Sequence, residues 1–205
     1  MKSIVTLLVI INSVFLGCKA NNSEKLCLEF YKANKGKNFD HLFEIATSDR
    51  FHSHYDERSK QNVLEFDHFF IYDSERDEYL LLPVFKQYSS RTSKEQAYKK
   101  CSRLTKKLFM KKFKESSDEK LLPYYIQYVE TLLQQYYSIE TPSSLSYKNL
   151  AIYGNPRLGR FIEFRLDAKA HCYYLLSRKG LDNYWNQFFN AEKILGTNWY
   201  YQIVR

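Results

Sequence analysis

Four sets of residues in this chain have types and spacings that could do chemistry. His52-Ser53-His54, followed by Asp56 and Glu57, places two imidazoles two positions apart, so an extended backbone would aim both the same way. Two imidazoles and a carboxylate suit zinc, and His41 or His68 could complete the set. The spacing matches no helical motif such as His-Glu-x-x-His, and surface histidines are the plainer expectation, so no metal site is predicted. Glu65, Asp67 and His68 suggest acid–base work, but along a strand 65 and 67 face away from 68. Glu163 and Asp167 read as an alternating polar face, so no catalytic residue is predicted. No nucleophile elbow, phosphate loop or dinucleotide fingerprint occurs, and no cofactor is expected.

The third set is cysteine. Cys18, Cys27, Cys101 and Cys172 include no Cys-x-x-Cys pair. Cys101 and Cys172 sit among apolar neighbours, which predicts buried, inert thiols. If Cys18 is set apart, the other three permit one disulfide and a spare thiol, or three free thiols.

The fourth set is the most pronounced. Between Arg91 and Lys114 stand ten Lys or Arg residues against Glu95 alone, more than the net charge of +8 for the whole chain. At helical spacing Lys99, Lys100, Arg103, Lys106, Lys107, Lys111 and Lys114 can line an exposed face. Such a face could dock on anionic lipid or glycan. A solvated face neutralised by acidic loops such as Asp73 to Glu78 is the competing expectation.

The N-terminus bears on which polyanion is within reach. Lys2 precedes an apolar run from Ser3 to Leu16 without a charged side chain, closed by Gly17-Cys18. This is the pattern of a secretory signal, too short for a membrane-spanning helix of about 20 apolar residues. Val14-Phe15-Leu16-Gly17-Cys18 resembles the lipobox of bacterial lipoproteins, although Phe15 departs from the commoner aliphatic residue. The resemblance implies removal of 1–17 and acylation of Cys18, with palmitate-type chains holding the protein at a bacterial envelope membrane. An ordinary signal cut after Ala20, giving a soluble secreted protein, and an uncleaved anchor are the alternatives. Export makes nucleic acid an unexpected partner.

The remaining chain supplies the scaffold. With 44% hydrophobic and 26% charged residues over 205 positions, it has the composition of a folded domain. Residues 18–23 read as a tether and 24–205 as one domain. Ser23 is predicted to cap a first helix carrying Leu26, Cys27, Phe30, Tyr31 and Asn34, and a short second helix is predicted over Phe39 to Ala46. Asn62 to Asp73 and Glu78 to Phe85 read as a hairpin, with Pro83 placing the return strand at an edge or at its end. Arg91 to Lys114 reads as one helix, followed by an antiparallel helix after Pro123. Period two then predicts strands at Leu145–Tyr153, Arg160–Leu166 and His171–Ser177 and a last hairpin from Glu192 to Val204. Leu181 to Phe189 is either helix or irregular. Helices in blocks and strands in hairpins predict α+β, an antiparallel sheet packed on a helix pair.

The aromatic clusters, including Tyr184-Trp185 and Trp199, predict packing more than stacking on a ligand. The expected function is a non-catalytic binding or structural role at the membrane surface. An inhibitor or immunity-type protein that binds another envelope protein is the first rival. A hydrolase of envelope polymers, needing a cleft where His52, His54, Glu65 or Asp67 converge, is the second.

Overall fold

A computed structural model describes residues 22–47, 52–56, 61–65, 68–86, 89–143, 145, 150–154, 156, 158–191 and 193–204, with 52–56 and 61–65 described by backbone alone. The predicted leader, Cys18 and the tether to Asn21 lie outside the described residues. So do Asp67 and the side chains of His52, His54 and Glu65.

Helix α1 spans 22–34, taking in Asn22 and Ser23, so Ser23 lies inside the helix and does not cap it. A 3-10 turn at Leu42–Glu44 leads into β1 (Ile45–Thr47). Strands β2 (His52–Asp56), β3 (Gln61–Glu65), β4 (His68–Asp73) and β5 (Glu78–Pro83) follow. Next come α2 (Arg91–Lys99), α3 (Arg103–Phe113), α4 (Leu121–Tyr137), β6 (Ala151–Gly154), β7 (Arg160–Arg165) and β8 (Ala170–Ser177). Helix α5 (Asn183–Ala191), β9 (Lys193–Gly196) and β10 (Trp199–Ile203) complete the described chain.

The chain is α+β. Eight strands form one sheet in the order β5-β4-β1-β6-β7-β8-β10-β9, antiparallel at every pairing, while β2 and β3 form a separate ribbon. The β4–β5 hairpin forms where its turn chemistry predicts. Asp73, 1% exposed, accepts bonds from the Glu75 amide and the Arg76 guanidinium. Burial alone would raise the Asp73 pKa, but these bonds outweigh it and hold the carboxyl below its ordinary value. Strand β5 is an edge and ends at Pro83, whose missing N–H cannot serve a further ladder position.

Two predicted elements ahead of the basic run resolve differently. The helix over Phe39 to Ala46 gives way to β1, because Ile45, Ala46 and Thr47 pair with β4 while Ala46 also pairs with Tyr153 of β6. Pairing on both sides satisfies the backbone better than one helical turn could. The single strand over 62–73 is two strands with different partners, β3 on β2 and β4 on β1 and β5. Of the strand predicted over Leu145 to Tyr153, 151–153 lie in β6 and 146–149 lie outside the described residues.

One face of the sheet carries helices α1 to α4 and the main core, the predicted pair of Arg91–Lys114 and the helix after Pro123 being present there as the three helices α2, α3 and α4. Contacts of Phe113 with Tyr124 (5.1 Å) and Phe109 with Tyr128 (5.4 Å) make α3 and α4 antiparallel, as their short link predicts. Trp199 is a hub of this core, within 6.2 Å of the Phe30, Tyr31, Phe39, Phe164 and Tyr174 rings. The opposite face carries a smaller cluster in which α5 lays Phe189 over Phe161, Tyr173, Leu175 and Tyr200. Buried Asn34 ends α1 and links it to the segment after α4. Its Nδ2 donates to the carbonyls of Phe30 (2.8 Å) and Glu140 (2.7 Å), and its Oδ1 accepts from the Glu140 amide (2.9 Å).

Candidate anion-binding surface

The basic run does not form one helix. Ser90 Oγ accepts from the Ser93 amide to start α2, and Ser102 Oγ accepts from the Thr105 amide (3.0 Å) to start α3. Ser102 is extended (φ −63°, ψ 160°), so the backbone turns between Lys100 and Ser102. A serine three residues ahead of Thr105, read as a cap, was the sequence signal for this break. Thr105, fully buried, also donates from Oγ1 to the Leu81 carbonyl (3.0 Å), fixing α3 against edge strand β5. Along α2 and α3, Ala97, Tyr98, Cys101, Thr105 and Phe109 are buried, whereas Leu104 is exposed.

The ten cations divide into two groups of five. Arg91 pairs with Glu95 (3.0 Å), Lys94 with Glu130 (2.5 Å) and Lys106 with Asp118 (2.9 Å); Lys111 pairs with Glu75 and Lys112 with Glu44. Three of these also lie over aromatic faces: Lys94 over Phe85, Lys106 over Tyr98 and Lys112 over Tyr128. Tyr98 and Lys106 both bond Asp118, and those bonds hold its carboxyl below the ordinary range. Burial, with Glu44 adding its charge, pushes the Tyr128 hydroxyl well up. Lys94, Lys106 and Lys112, part-buried, are committed to the fold, whereas Arg91 and Lys111 are paired at the surface. Lys106 and Lys111, predicted to face an anionic partner, are therefore already engaged, though the Lys111 side chain stays 62% exposed.

Lys99, Lys100, Arg103, Lys107 and Lys114 are exposed and have no acidic partner among the described residues. On α3, Arg103 and Lys107, four apart, project opposite the buried Thr105 and Phe109, and Lys114 follows as the left-handed C-cap of the helix. Lys99 and Lys100 close α2, just ahead of Arg103. Arg103 stands in the first turn of α3, where the helix dipole disfavours a cation, so helix stability does not account for it. The depression beside α3, about 310 Å³, is lined by Glu44, Glu75, Lys111 and Lys112, whose charges are already paired, so it is not part of this patch.

The other predicted sites fare variously. The β2–β3 register sets His52 opposite Glu65 and His54 opposite Val63, with the side chains outside the described residues. Among the described residues no group of three or more His, Cys, Asp or Glu could hold a metal ion. Cys27, Cys101 and Cys172 are all buried free thiols. Trp199 is 3% exposed and Trp185 packs on Phe161 at 4.5 Å, while Tyr184 is 66% exposed.

Glu163 departs from its sequence reading. It is buried, on the sheet face that alternation alone assigns to solvent and on which α5 packs further along. Its carboxylate accepts from Arg165 Nε (3.0 Å) and meets His171 Nδ1 at 3.1 Å. Burial acts to raise its pKa, but the bonds from His171 and Arg165 prevail and keep it below the ordinary carboxylate value. Arg165 also lies over the Tyr153 ring at 4.3 Å. No Ser, Thr or Cys side chain is hydrogen-bonded to the His171 imidazole among the described residues, so the cluster has the parts of a buried ion network and lacks a nucleophile.

No helix among the described residues is long and apolar enough to cross a membrane. The chain matches no family model, no curated protein and no solved structure.

Proposed function

We propose that this chain is a non-catalytic lipoprotein of the bacterial envelope, held by acylated Cys18, whose α2–α3 surface docks on anionic lipid headgroups or an anionic glycan of the same envelope. One observation carries the reading: Lys99, Lys100, Arg103 and Lys107 around the α2–α3 junction, and Lys114 at the far end of α3, have no acidic partner among the described residues, while the other five cations of the run are each paired with an acid.

Magnitudes fit an auxiliary role. At about 1 kcal/mol per basic residue near an anionic surface, five contribute about 5 kcal/mol. That corresponds to a Kd of roughly 0.2 mM, too weak alone but sufficient to orient a domain already tethered. Helix α1, which follows Cys18, and helices α2 and α3 lie on one face of the sheet. Helix α1 packs on β8 and α3 on β5, five strand spacings apart, or about 24 Å. Anchor and patch can thus meet one plane.

Vesicle co-sedimentation tests the docking surface. A chain beginning at Lys19 should bind phosphatidylglycerol vesicles and not phosphatidylcholine ones. Lys99→Glu, Lys100→Glu, Arg103→Glu and Lys107→Glu together should weaken that binding at least tenfold. If the quadruple variant bound anionic vesicles and envelope glycan as the parent does, this role for the helices would be wrong. The anchor is tested separately by the intact mass of membrane-extracted protein. A full-length, unmodified chain recovered from cytosol would remove it.

A further inference from the structure

Cys27 in α1 and Cys172 in β8 are both fully buried and meet across the helix–sheet interface. Cys172 Sγ lies 3.8 Å from the Cys27 carbonyl oxygen, and Cys27 Sγ lies 3.9 Å from the carbonyl oxygen of His171. Each sulfur therefore rests on the main chain that carries the other, which sets the two thiols side by side. Two side chains crossing between a helix and a strand in this way bring their sulfurs within reach of a bond. The third buried thiol, Cys101, lies at the α2–α3 junction, where it packs against other partners; burial pushes its pKa up to about 12.

We infer that Cys27 and Cys172 are a disulfide-forming pair that staples α1 to β8 when the chain folds in the presence of a disulfide oxidant. The chemistry is two successive exchanges. One cysteine thiolate attacks the oxidant's S–S bond, forming a mixed disulfide and releasing one oxidant thiol. The second attacks the mixed disulfide at the protein sulfur, closing the Cys27–Cys172 bond and releasing the other oxidant thiol. The pair gives up two electrons and two protons, and the oxidant takes up both. Because the folded chain buries both sulfurs, exchange takes place before α1 is fully docked. The bond closes a loop between positions 145 apart, a long span of the kind for which a cross-link restricts the unfolded chain most. It also joins the helix that follows Cys18 covalently to the sheet, independently of what the basic surface binds.

The test is to refold the reduced full-length chain in a mixture of reduced and oxidised glutathione, alkylate free thiols, and digest with trypsin without reduction. Leu26–Lys32 should be recovered linked to Ala170–Arg178 in most molecules, with Cys101 alkylated after unfolding. The Cys101→Ala variant should keep the link and Cys27→Ala should lose it. Reduction should lower the thermal midpoint by on the order of 5–10 °C. Chain synthesised in an oxidising extract gives the same readout without refolding. Separate alkylation of Cys27 and Cys172 in the folded, oxidant-treated chain, or a link from either to Cys18 or Cys101, would overturn the inference.

Discussion

Glu163 on β7 and His171 on β8 meet at 3.1 Å on the sheet face that α5 partly roofs, although neither is opposite the other in the strand register. Glu163 pairs with Tyr173 and His171 with Arg165, so the contact is diagonal and Arg165 closes it from the Glu163 side. The acid dependence of stability follows from this contact. The folded pKa of Glu163 is depressed, so its contribution is fully present above the unfolded carboxylate value of about 4.3. It is lost as pH falls from there through the lower folded value. Glu163→Gln should reduce stability at pH 7 by about 1–3 kcal/mol and flatten the acid limb below about pH 4.5. Urea midpoints measured from pH 7 to pH 3 check this. Parallel curves for parent and variant would contradict it.

Free and paired cations should behave oppositely under charge reversal. Lys106→Glu would face Asp118, and Lys112→Glu would face Glu44 beneath Tyr128. Each should cost about 1–2 kcal/mol, since a like charge replaces a part-buried pair. Lys100→Glu and Lys107→Glu touch no acid among the described residues and should stay within about 0.5 kcal/mol of the parent. Thermal midpoints of the four single variants, taken with their vesicle binding, separate cations that hold the fold from cations whose loss the fold does not feel.

Gly154 ends β6 where it passes the Leu42–Glu44 turn, and a Cβ there would run into the main-chain carbonyls of Phe43 and Leu42. Backbone cannot swing aside as a side chain can. Gly154→Ala should therefore destabilise by about 1–3 kcal/mol, although alanine suits the extended backbone. Denaturant unfolding provides the measurement, and a neutral result would mean that the turn yields.

Asn34 makes three hydrogen bonds inside the protein, two of them to the backbone of Glu140. Asn34→Ala leaves that amide and carbonyl without these partners and should cost about 2–3 kcal/mol. Amide exchange at Glu140 should quicken in step, which a general loss of packing would not single out.

Much of the architecture was legible from periodicity. Alternation at Arg160–Leu166 and His171–Ser177, the turn residues Ser74 to Asp77, and Pro83 at a strand end are local signals, and the structure answers each locally. Helical spacing likewise found α1 and α4. It failed at Ile45–Thr47 and at Ser102 for different reasons. The first segment was taken up by strand partners remote in sequence, Phe69 to Ile71 on one side and Tyr153 on the other. The second held a legible cap that the continuous run of lysines obscured.

By itself the sequence determined the mixed class, the hairpins, the edge strand, and the sign and address of the excess charge, because each depends on neighbours within a few residues. Only the tertiary structure decided which cations remain free, since, apart from Glu95 beside Arg91, the acids that neutralise the others come from 12 to 68 positions away. It alone buried Glu163, by setting Arg165 and His171 beside it on a face that alternation assigns to water, and it alone brought Cys27 against Cys172. Local spacing sets which way a side chain points; what it meets there is set by how the whole chain closes.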